Sequence, residues 1–437
     1  MIKRLFIVGL FTGFGHFVTL LSLKFITKNV EEDTIAFVGE IDSLSLLIVS
    51  IIAFGLQLST IREIVLLDDW RKEFYTTQSA RFTLSLFLIL FSFFGVFYTK
   101  NYLFLIAPII ALNADYALYG IGKPITAASI ALIRILIPSL TLVYSSIYSV
   151  DTIIINYSIS ILFAYLFSGL LVSKMLNVHY FIKPSINNLI KYLDSFRIGI
   201  ASFAFFFIGI GIINIISYFY NEKSTAIIYL ALKLYMIFKG IRRIIVQSFF
   251  KELNDDITNS VKIDYFAMII GIIFLISLLL FQKTVISILY DQKYITYTFT
   301  FLILGISGFI SSITTSSGIR LLLNKQDKAY SNNIIISAIV VVILSVTFFG
   351  LFNSQPYFIS LSILIGELTL SILNIISIKE KNYLLNRIKI IYPIIIMSLL
   401  FIPIKHYFLD TFYTYVISLI IFGIITVVHT KKRLKFL

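Results

Sequence analysis

The chain has 437 residues, of which 59% are hydrophobic and only 13% charged, with a mean hydropathy of +0.96. Such a chain has too little polar surface to cover a soluble globule, so we predict an integral membrane protein. The formal charge of +14 does not indicate nucleic acid, since no basic run is interleaved with aromatic residues as a binding face requires. The absence of cysteine excludes disulfides, thiolate metal sites and cysteine nucleophiles.

Apolar runs of membrane-spanning length recur along the whole chain. A helix needs about 20 apolar residues to cross the hydrocarbon core. By this measure we predict an all-α polytopic membrane protein with about fourteen spans, twelve being the alternative count. The predicted spans cover 5–26, 41–60, 82–99, 102–120, 125–144, 152–173, 197–219, 226–245, 264–282, 295–319, 334–352, 357–378, 390–408 and 411–429.

Lysine and arginine are unevenly divided between the loops on the two sides. With the N-terminus placed in the cytoplasm, the cytoplasmic loops hold 26 of the 36 basic residues, the outer loops hold six, and four lie within spans. Such a bias is what the positive-inside rule predicts. We therefore expect both termini to be cytoplasmic, and much of the net charge to reflect topology rather than a ligand.

The longest connector, Lys174–Phe196, divides the spans into two groups of six and a terminal pair. Pro184 can open a helix there whose apolar residues share one face, the pattern of a helix lying in the membrane surface. Because six is even, both groups enter from the cytoplasm, as in transporters built from parallel repeats. The expected units are an N-terminal lobe at 1–178, a linker helix at 179–196, a C-terminal lobe at 197–380, and a helix pair with a basic tail at 381–437.

Charged residues inside the spans are the main candidates for a functional site, because a charge facing lipid costs about 2.5–3.5 kcal/mol. Arg134 lies near the middle of the fifth span, and Asp115 lies close to its depth on the fourth. The two can form a structural pair, or Arg134 can bind an anionic substrate. Glu367, central in the twelfth span, is either protonated, paired with Lys233 or Lys239, or a carboxylate that couples transport to an ion.

Three lysines and one histidine complete the intramembrane candidates. Lys24 lies near the outer end of the first span and Lys239 toward the cytoplasmic end of the eighth, so each side chain either reaches toward water or lines a cavity. Lys233 lies a full turn or more inside the eighth span, and we expect it to line a cationic cavity. His16, in the middle of the first span, either packs through hydrogen bonds or carries protons.

The sequence contains no motif for nucleotide hydrolysis, dinucleotide binding or zinc catalysis, and its four histidines do not cluster. We therefore expect no cofactor and no bound metal. A membrane-embedded glycosyltransferase or polymerase would need a long extramembrane loop to hold its substrates, and the longest connector is the cytoplasmic one described above. These observations favour a transporter over an enzyme.

Three segments of the chain resemble a known family of membrane transporters. In Ala53–Phe87, a span contains Gly55, Arg62 follows in a cytoplasmic connector, and Arg81 opens the next span. The second segment, Ile110–Leu136, resembles the family's fourth helix, a glycine-containing turn and its fifth helix. The match in architecture covers nearly the whole chain, whereas the residue patterns cover a smaller part of it.

The third segment, Ser224–Phe250, is similar to the helix that opens the family's second lobe, with Tyr229 and Lys233 in its core. The chain lacks the proline that often follows this helix, and the aromatic-rich turn before the fifth helix is represented only by Tyr116 and Tyr119. On these residues the chain resembles the Wzx-like polysaccharide flippase branch of the multidrug/oligosaccharidyl-lipid/polysaccharide (MOP) exporter superfamily.

This resemblance implies a V-shaped transporter that flips undecaprenyl-diphosphate-linked oligosaccharide repeat units across a bacterial cytoplasmic (inner) membrane, for O-antigen or other surface polysaccharide. A diphosphate requires cations in a low-dielectric cavity. H+ or Na+, the polysaccharide polymerase machinery and the lipid bilayer are the further partners implied, with a groove for the lipid tail at the last two helices. The expected substrate-binding residues are Lys233, Arg134, Lys239 and Lys24, and the expected coupling or cavity residues are Glu367, Asp115 and His16.

Two other classes of protein remain open on the sequence. A drug or cation antiporter of the same superfamily would need an acidic cavity, typically with a carboxylate in the first helix, where this chain has His16 and Lys24. A membrane-embedded glycan polymerase or ligase would need a long polar loop on the outer side, which the predicted loops do not provide.

Overall fold

In the computed structural model the described residues form helices and contain no strand. Nine of the described helices are long and apolar enough to cross a bilayer, or ten if one bent helix pair counts as a single span. The expected class of all-α polytopic membrane protein is confirmed, while the count of fourteen spans stays a prediction. The end of the basic tail, at 434–437, lies outside the described residues. The residues that the structure describes are 2–66, 69–99, 107–248, 253, 259–352, 355–399 and 411–433.

The first six predicted spans correspond to eight helices, because the second and fourth spans are each broken in two. We call these helices the N-terminal lobe and those of 197–380 the C-terminal lobe, a division that stays a prediction. The first helix packs along the seventh, and the seventh along the eighth. These helices are α1 (Ile2–Asn29), α2 (Glu32–Ala53), α3 (Leu56–Leu66), α4 (Trp70–Thr99), α5 (Ala107–Ala111), α6 (Asp115–Gly120), α7 (Pro124–Ser145) and α8 (Val150–Leu176).

A short helical segment connects the lobes: a 3-10 turn at Ile186–Leu189 continues into α9 (Ile190–Asp194). On its polar side, Lys191 Nζ lies 2.5 Å from Glu73 Oε2 and 3.3 Å from Glu63 Oε2, which fixes the segment to α4 and α3. Burial favours the neutral amine, but these carboxylates outweigh it and raise the pKa of Lys191. The segment therefore presents an apolar face outward, as a helix in the membrane surface would. The exposed apolar side chains are Ile186, Ile190 and Leu193.

The C-terminal lobe is built around one helix, α12 (Glu222–Ser248), most of which is buried, whereas the terminal pair packs against the helix Asn259–Leu280. Helix α12 packs against α1 and α2 of the other lobe as well as against its own. The helices of this half are α10 (Phe196–Phe207), α11 (Ile213–Ile216), α12 (Glu222–Ser248), α13 (Asn259–Leu280), α14 (Gln282–Leu289), α15 (Thr298–Ile313), α16 (Ser317–Leu323), α17 (Asp327–Phe352), α18 (Pro356–Ile378), α19 (Tyr383–Leu399) and α20 (Phe412–Arg433).

At the break between α2 and α3 the backbones of the two lobes lie close together. Phe54 and Gly55 have φ of 28° and 76°, which ends α2, so the predicted continuous span 41–60 is wrong on this point. A Cβ on Gly55 would lie 2.5 Å from the backbone nitrogen of Gly199 on α10. Only glycine meets both the positive φ and this contact.

The predicted span 197–219 is also broken. Its first part is α10, and its second part is a 3-10 turn at Ile210–Ile212 that continues into α11. The two parts are bent by 71° relative to each other. The bend lies at Ile208 and Gly209, and a Cβ on Gly209 would lie 2.7 Å from the sulfur of Met236 on α12. The glycine thus allows α12 to pack directly against the break, which exposes backbone carbonyls to side chains of α12.

Candidate functional site

Lys233 of α12 forms an ion pair with Asp42, which lies in the middle of α2. The same carboxylate accepts hydrogen bonds from Tyr229, whose hydroxyl oxygen lies 2.7 Å from Oδ2, and from Tyr157 of α8. The ammonium also lies 5.7 Å from the centre of the Tyr229 ring. Four polar groups that would be costly in lipid therefore satisfy one another at the centre of the bundle.

The Lys233–Asp42 pair joins the two lobes. Asp42 and Tyr157 belong to the N-terminal lobe, whereas Lys233 and Tyr229 belong to the C-terminal lobe. The Lys233 side chain keeps 20% of its surface exposed and Asp42 keeps 9%, so the pair is enclosed but not sealed. Any motion that separates the lobes at this depth has to break this pair.

A second pair, Lys239 with Glu367, lies wholly within the C-terminal lobe and is almost completely buried. Lys239 Nζ is 2.8 Å from Glu367 Oε1, and the side chains expose only 6% and 2% of their surface. Tyr235 donates to the same Oε1 at 2.8 Å. Of the alternatives left open for Glu367, the structure shows pairing with Lys239, and this lysine points into the lobe rather than toward the cytoplasm.

The third pair, Arg134 with Asp115, lies within the N-terminal lobe. Asn113 Oδ1 accepts a second hydrogen bond from Arg134 Nη1 at 2.9 Å, and the guanidinium lies 5.5 Å from the ring of Tyr165. The meeting of Arg134 and Asp115 foreseen from their depths is confirmed. Its geometry follows from the break between α5 and α6, which brings Asn113 and Asp115 to the start of a short helix.

Lys24 and His16 of α1 lie at the boundary between the lobes but carry no carboxylate partner in the described structure. Lys24 Nζ donates to the backbone oxygen of Ser287 on α14 at 2.8 Å, which ties the outer end of α1 to the C-terminal lobe. The imidazole of His16 lies against α12, with Nε2 3.2 Å from the position a Cβ on Gly240 would take. Neither residue is brought into the Lys233–Asp42 pair.

The lobes are also joined by ion pairs at both ends of the bundle. Arg62 Nη1 of α3 lies 3.2 Å from Asp327 Oδ1 at the start of α17, on the side predicted to be cytoplasmic. Lys293 Nζ lies 3.7 Å from Glu32 Oε1 on the opposite side. The two lobes are therefore linked by ion pairs on both sides of the central Lys233–Asp42 pair.

A further buried network, which the sequence did not reveal, attaches α19 to the C-terminal lobe. Asp264 of α13 accepts from Arg387 Nε at 3.2 Å and from the hydroxyl of Tyr383 at 2.9 Å. Glu380 binds Arg387 and Arg320, each with an N···O distance of 2.5 Å. Burial acts against the charge of Glu380, but the two arginines outweigh it and lower the pKa of this carboxyl. At least α19 of the terminal pair is thereby fixed to the C-terminal lobe.

The expected cationic cavity stays a prediction. In this structure Lys233, Lys239 and Arg134 each have a carboxylate partner, so any substrate that binds them has to replace a carboxylate. Within the described part of the chain, no three His, Asp or Glu side chains come close enough together to hold a metal ion.

Comparison with known proteins identifies solved structures with a similar fold. No family model and no curated protein matches the sequence. The structure is similar to that of the lipid II flippase MurJ in an inward closed conformation, with 14% identity over 98% of this chain and 99% of that chain and a TM-score of 0.64. It is also similar to an inward-facing multidrug resistance MATE transporter of the MOP superfamily, with 13% identity, 83% and 93% coverage and a TM-score of 0.60.

A MOP superfamily transporter from Pyrococcus furiosus, described as having a binding pocket of reversed polarity, matches with 12% identity, 86% and 93% coverage and a TM-score of 0.52. The predicted MOP-type fold is therefore confirmed, and the protein is a multi-pass membrane protein. These structurally similar proteins are transporters and a flippase rather than enzymes. Identities this low establish the fold and leave the substrate to the chemistry of the site.

Proposed function

We propose that this protein is a flippase that moves undecaprenyl-diphosphate-linked oligosaccharide repeat units across the bacterial cytoplasmic membrane by alternating access of its two lobes. The glycan would serve O-antigen, lipopolysaccharide or another surface polysaccharide. The observation that carries the proposal is the Lys233–Asp42 pair, which crosses the boundary between the lobes at the middle of the membrane. Separation of the lobes turns this pair into an unpaired ammonium that faces the opening.

An ammonium released in this way can bind a diphosphate through charge attraction. Two opposite unit charges 4 Å apart attract each other by about 4 kcal/mol at the effective dielectric constant near a protein surface. A diphosphate can replace the carboxylate of Asp42 and restore this interaction, whereas a neutral sugar cannot. The pairs Lys239–Glu367 and Arg134–Asp115 stay within single lobes and need not break, so Lys233 is the first of the three cations to become available.

The lipid tail requires an apolar path beside the headgroup site. On the side of the C-terminal lobe between α13 and α20, mainly apolar side chains surround a gap that holds little more than a water molecule. The gap is bordered by Ile273, Phe281, Tyr415, Leu419 and Phe422. We propose that the tail passes along this side of the C-terminal lobe while the headgroup crosses between the lobes. The remaining proposals are cytoplasmic termini, coupling to H+ or Na+, and cooperation with a polysaccharide polymerase.

Flipping of a fluorescent undecaprenyl-diphosphate oligosaccharide in proteoliposomes tests the proposal. Loss of a hydrogen bond to a charged group costs about 1.5–3 kcal/mol, so Lys233→Ala should slow flipping roughly 10- to 100-fold. Lys223→Ala is the matched control, because Lys223 lies on the same helix with its side chain exposed. Flipping at the wild-type rate by Lys233→Ala protein with an unchanged thermal unfolding profile would remove Lys233 from the headgroup site.

A drug antiporter is the second candidate, and one observation favours it. Asp42, Asp115 and Glu367 are carboxylates in the interior of the bundle, and opening between the lobes releases Asp42 as well as Lys233. A cationic drug would then bind Asp42. Efflux of a fluorescent organic cation that is lost in Asp42→Asn, together with no flipping of any lipid-linked glycan, would decide for the antiporter.

A further inference from the structure

The broken helix of the C-terminal lobe lies directly against the buried pair of Lys239 and Glu367. α10 ends at Phe207, and the backbone oxygen of Ile208, at the break, accepts a hydrogen bond from Lys239 Nζ at 3.3 Å. The same ammonium lies 4.1 Å from the centre of the Phe205 ring. Carbonyl oxygens at breaks in membrane helices are positions where transporters bind small cations, because the oxygen is no longer used within the helix.

The groups around this ammonium form a set of hard oxygen ligands. Glu367 Oε1 and the Ile208 carbonyl accept hydrogen bonds from the ammonium, and the Tyr235 hydroxyl joins the set through its own hydrogen bond to Glu367 Oε1 at 2.8 Å. Ser307 Oγ lies 3.2 Å from the Tyr235 hydroxyl and extends the set to α15. Carboxylate, carbonyl and hydroxyl oxygens are the ligands preferred by small alkali and alkaline-earth cations.

The charge balance of this cluster points to a single positive charge. Among the described residues, Glu367 is the only carboxylate bonded to Lys239, so one monovalent cation neutralises this pair and a divalent ion would leave an excess charge in the membrane interior. Arg242, one turn further along α12, directs its guanidinium to Ser311 of α15. It adds a positive field but does not occupy the position between Glu367 and Ile208.

We propose that Glu367, the Ile208 carbonyl and Tyr235 form a monovalent-cation site whose resident cation is the ammonium of Lys239. A cation tethered in this way holds the bend between α10 and α11 against α18 without any ion from the medium. The fold of the C-terminal lobe is then independent of Na+, and substitution of Lys239 by a neutral side chain converts the same oxygens into a site that takes up Na+. This inference concerns a site inside one lobe and does not depend on the identity of the transported substrate.

Thermal unfolding of the full-length protein in lipid nanodiscs tests the proposal, with NaCl replaced stepwise by choline chloride at constant ionic strength and pH. Wild type and Glu367→Gln should respond to Na+ alike, because the wild-type site already holds the Lys239 ammonium. Lys239→Met, which is similar in length but uncharged, should unfold at a lower temperature in choline and regain several degrees in Na+, because ligand binding to the folded state raises its melting temperature. Lys239→Met/Glu367→Gln should lose this response, and the exposed Lys223→Met should behave as wild type.

The proposal would be overturned by a wild-type melting temperature whose rise with Na+ is abolished by Glu367→Gln, since the site would then already bind an external cation. It would also be overturned by Lys239→Met protein whose stability responds to acidification but not to Na+, because the site would then take only a proton. If Lys239→Met does not fold, Lys239→Gln keeps hydrogen-bond donors without the charge and is tested in the same way. None of these measurements uses the lipid-linked substrate, so their failure is distinguishable from a failure of the proposed flippase activity.

Discussion

Neutralising Asp42 or Lys233 alone should destabilise the folded protein more than neutralising both. Asp42→Asn leaves the ammonium of Lys233 in the bundle without its counter-ion. Removal of one partner from a fully buried pair costs about 3–5 kcal/mol, and we reduce this to about 2 kcal/mol because 20% of the Lys233 side chain is exposed. Lys233→Met leaves the carboxylate with hydrogen bonds from Tyr157 and Tyr229, so its expected cost is smaller, about 1–2 kcal/mol.

The double variant Asp42→Asn/Lys233→Met removes both charges and should lie within about 1 kcal/mol of wild type, which gives a coupling energy of about 2 kcal/mol. The assay is denaturant-induced unfolding of the four proteins in lipid nanodiscs at neutral pH, with Lys223→Met as the surface control. Salt screens exposed charges more than enclosed ones, so the coupling should persist when the ionic strength is raised.

Additive effects of the two substitutions, within about 0.5 kcal/mol, would refute the reasoning. Additivity would mean that Asp42 and Lys233 do not depend on each other in the folded protein. The release of Lys233 by separation of the lobes would then have no energetic basis. A coupling that vanishes at moderate ionic strength would likewise place the pair in water rather than inside the bundle.

Three further changes test other parts of the structure. Gly55→Ala should lower stability by about 3 kcal/mol and Gly122→Ala by only about 1 kcal/mol in the same unfolding assay, since both have φ near +77° but a Cβ meets neighbouring atoms only at Gly55. Arg62→Asp should slow flipping in proteoliposomes, and adding Asp327→Arg should restore it, because the reversed pair can still join the lobes. Two arginines hold the pKa of Glu380 below its usual 4.5, so stability should be retained above that pH and fall as the pH drops below it. Glu380→Gln should remove this acid dependence of the melting temperature.

Hydropathy and charge placement were sufficient for the class of fold, since a membrane leaves few alternatives to helices of bilayer length. The same features located Lys233, Lys239, Arg134 and Glu367, because a charge within an apolar run is conspicuous. They did not reveal which of the two lysines, Lys233 or Lys239, pairs with Glu367. Pairing between distant helices depends on how each helix is rotated and broken, which residue spacing along one helix does not determine.

Asp42 shows why the central pair was missed. The predicted second span began at residue 41, which placed Asp42 at its outer end, whereas α2 begins at Glu32 and carries Asp42 into the membrane. Glu32, Asp33 and Glu40 made the first part of this helix look like a polar loop. The apolar residues from Ile35 onward were the available signal, because with them the helix Glu32–Ala53 is apolar enough on average to cross a bilayer despite Glu40 and Asp42.

The division of the counter-ions between the lobes gives the buried cations unequal roles. Lys239 and Glu367 move together in any rigid-body motion of the lobes, and so do Arg134 and Asp115, whereas Lys233 is separated from Asp42. An opening between the lobes therefore has a positive wall at α12 and a negative wall at α2. A diphosphate is attracted to the first wall and repelled by the second, so it would travel with the C-terminal lobe, on the same side as the apolar gap next to α20.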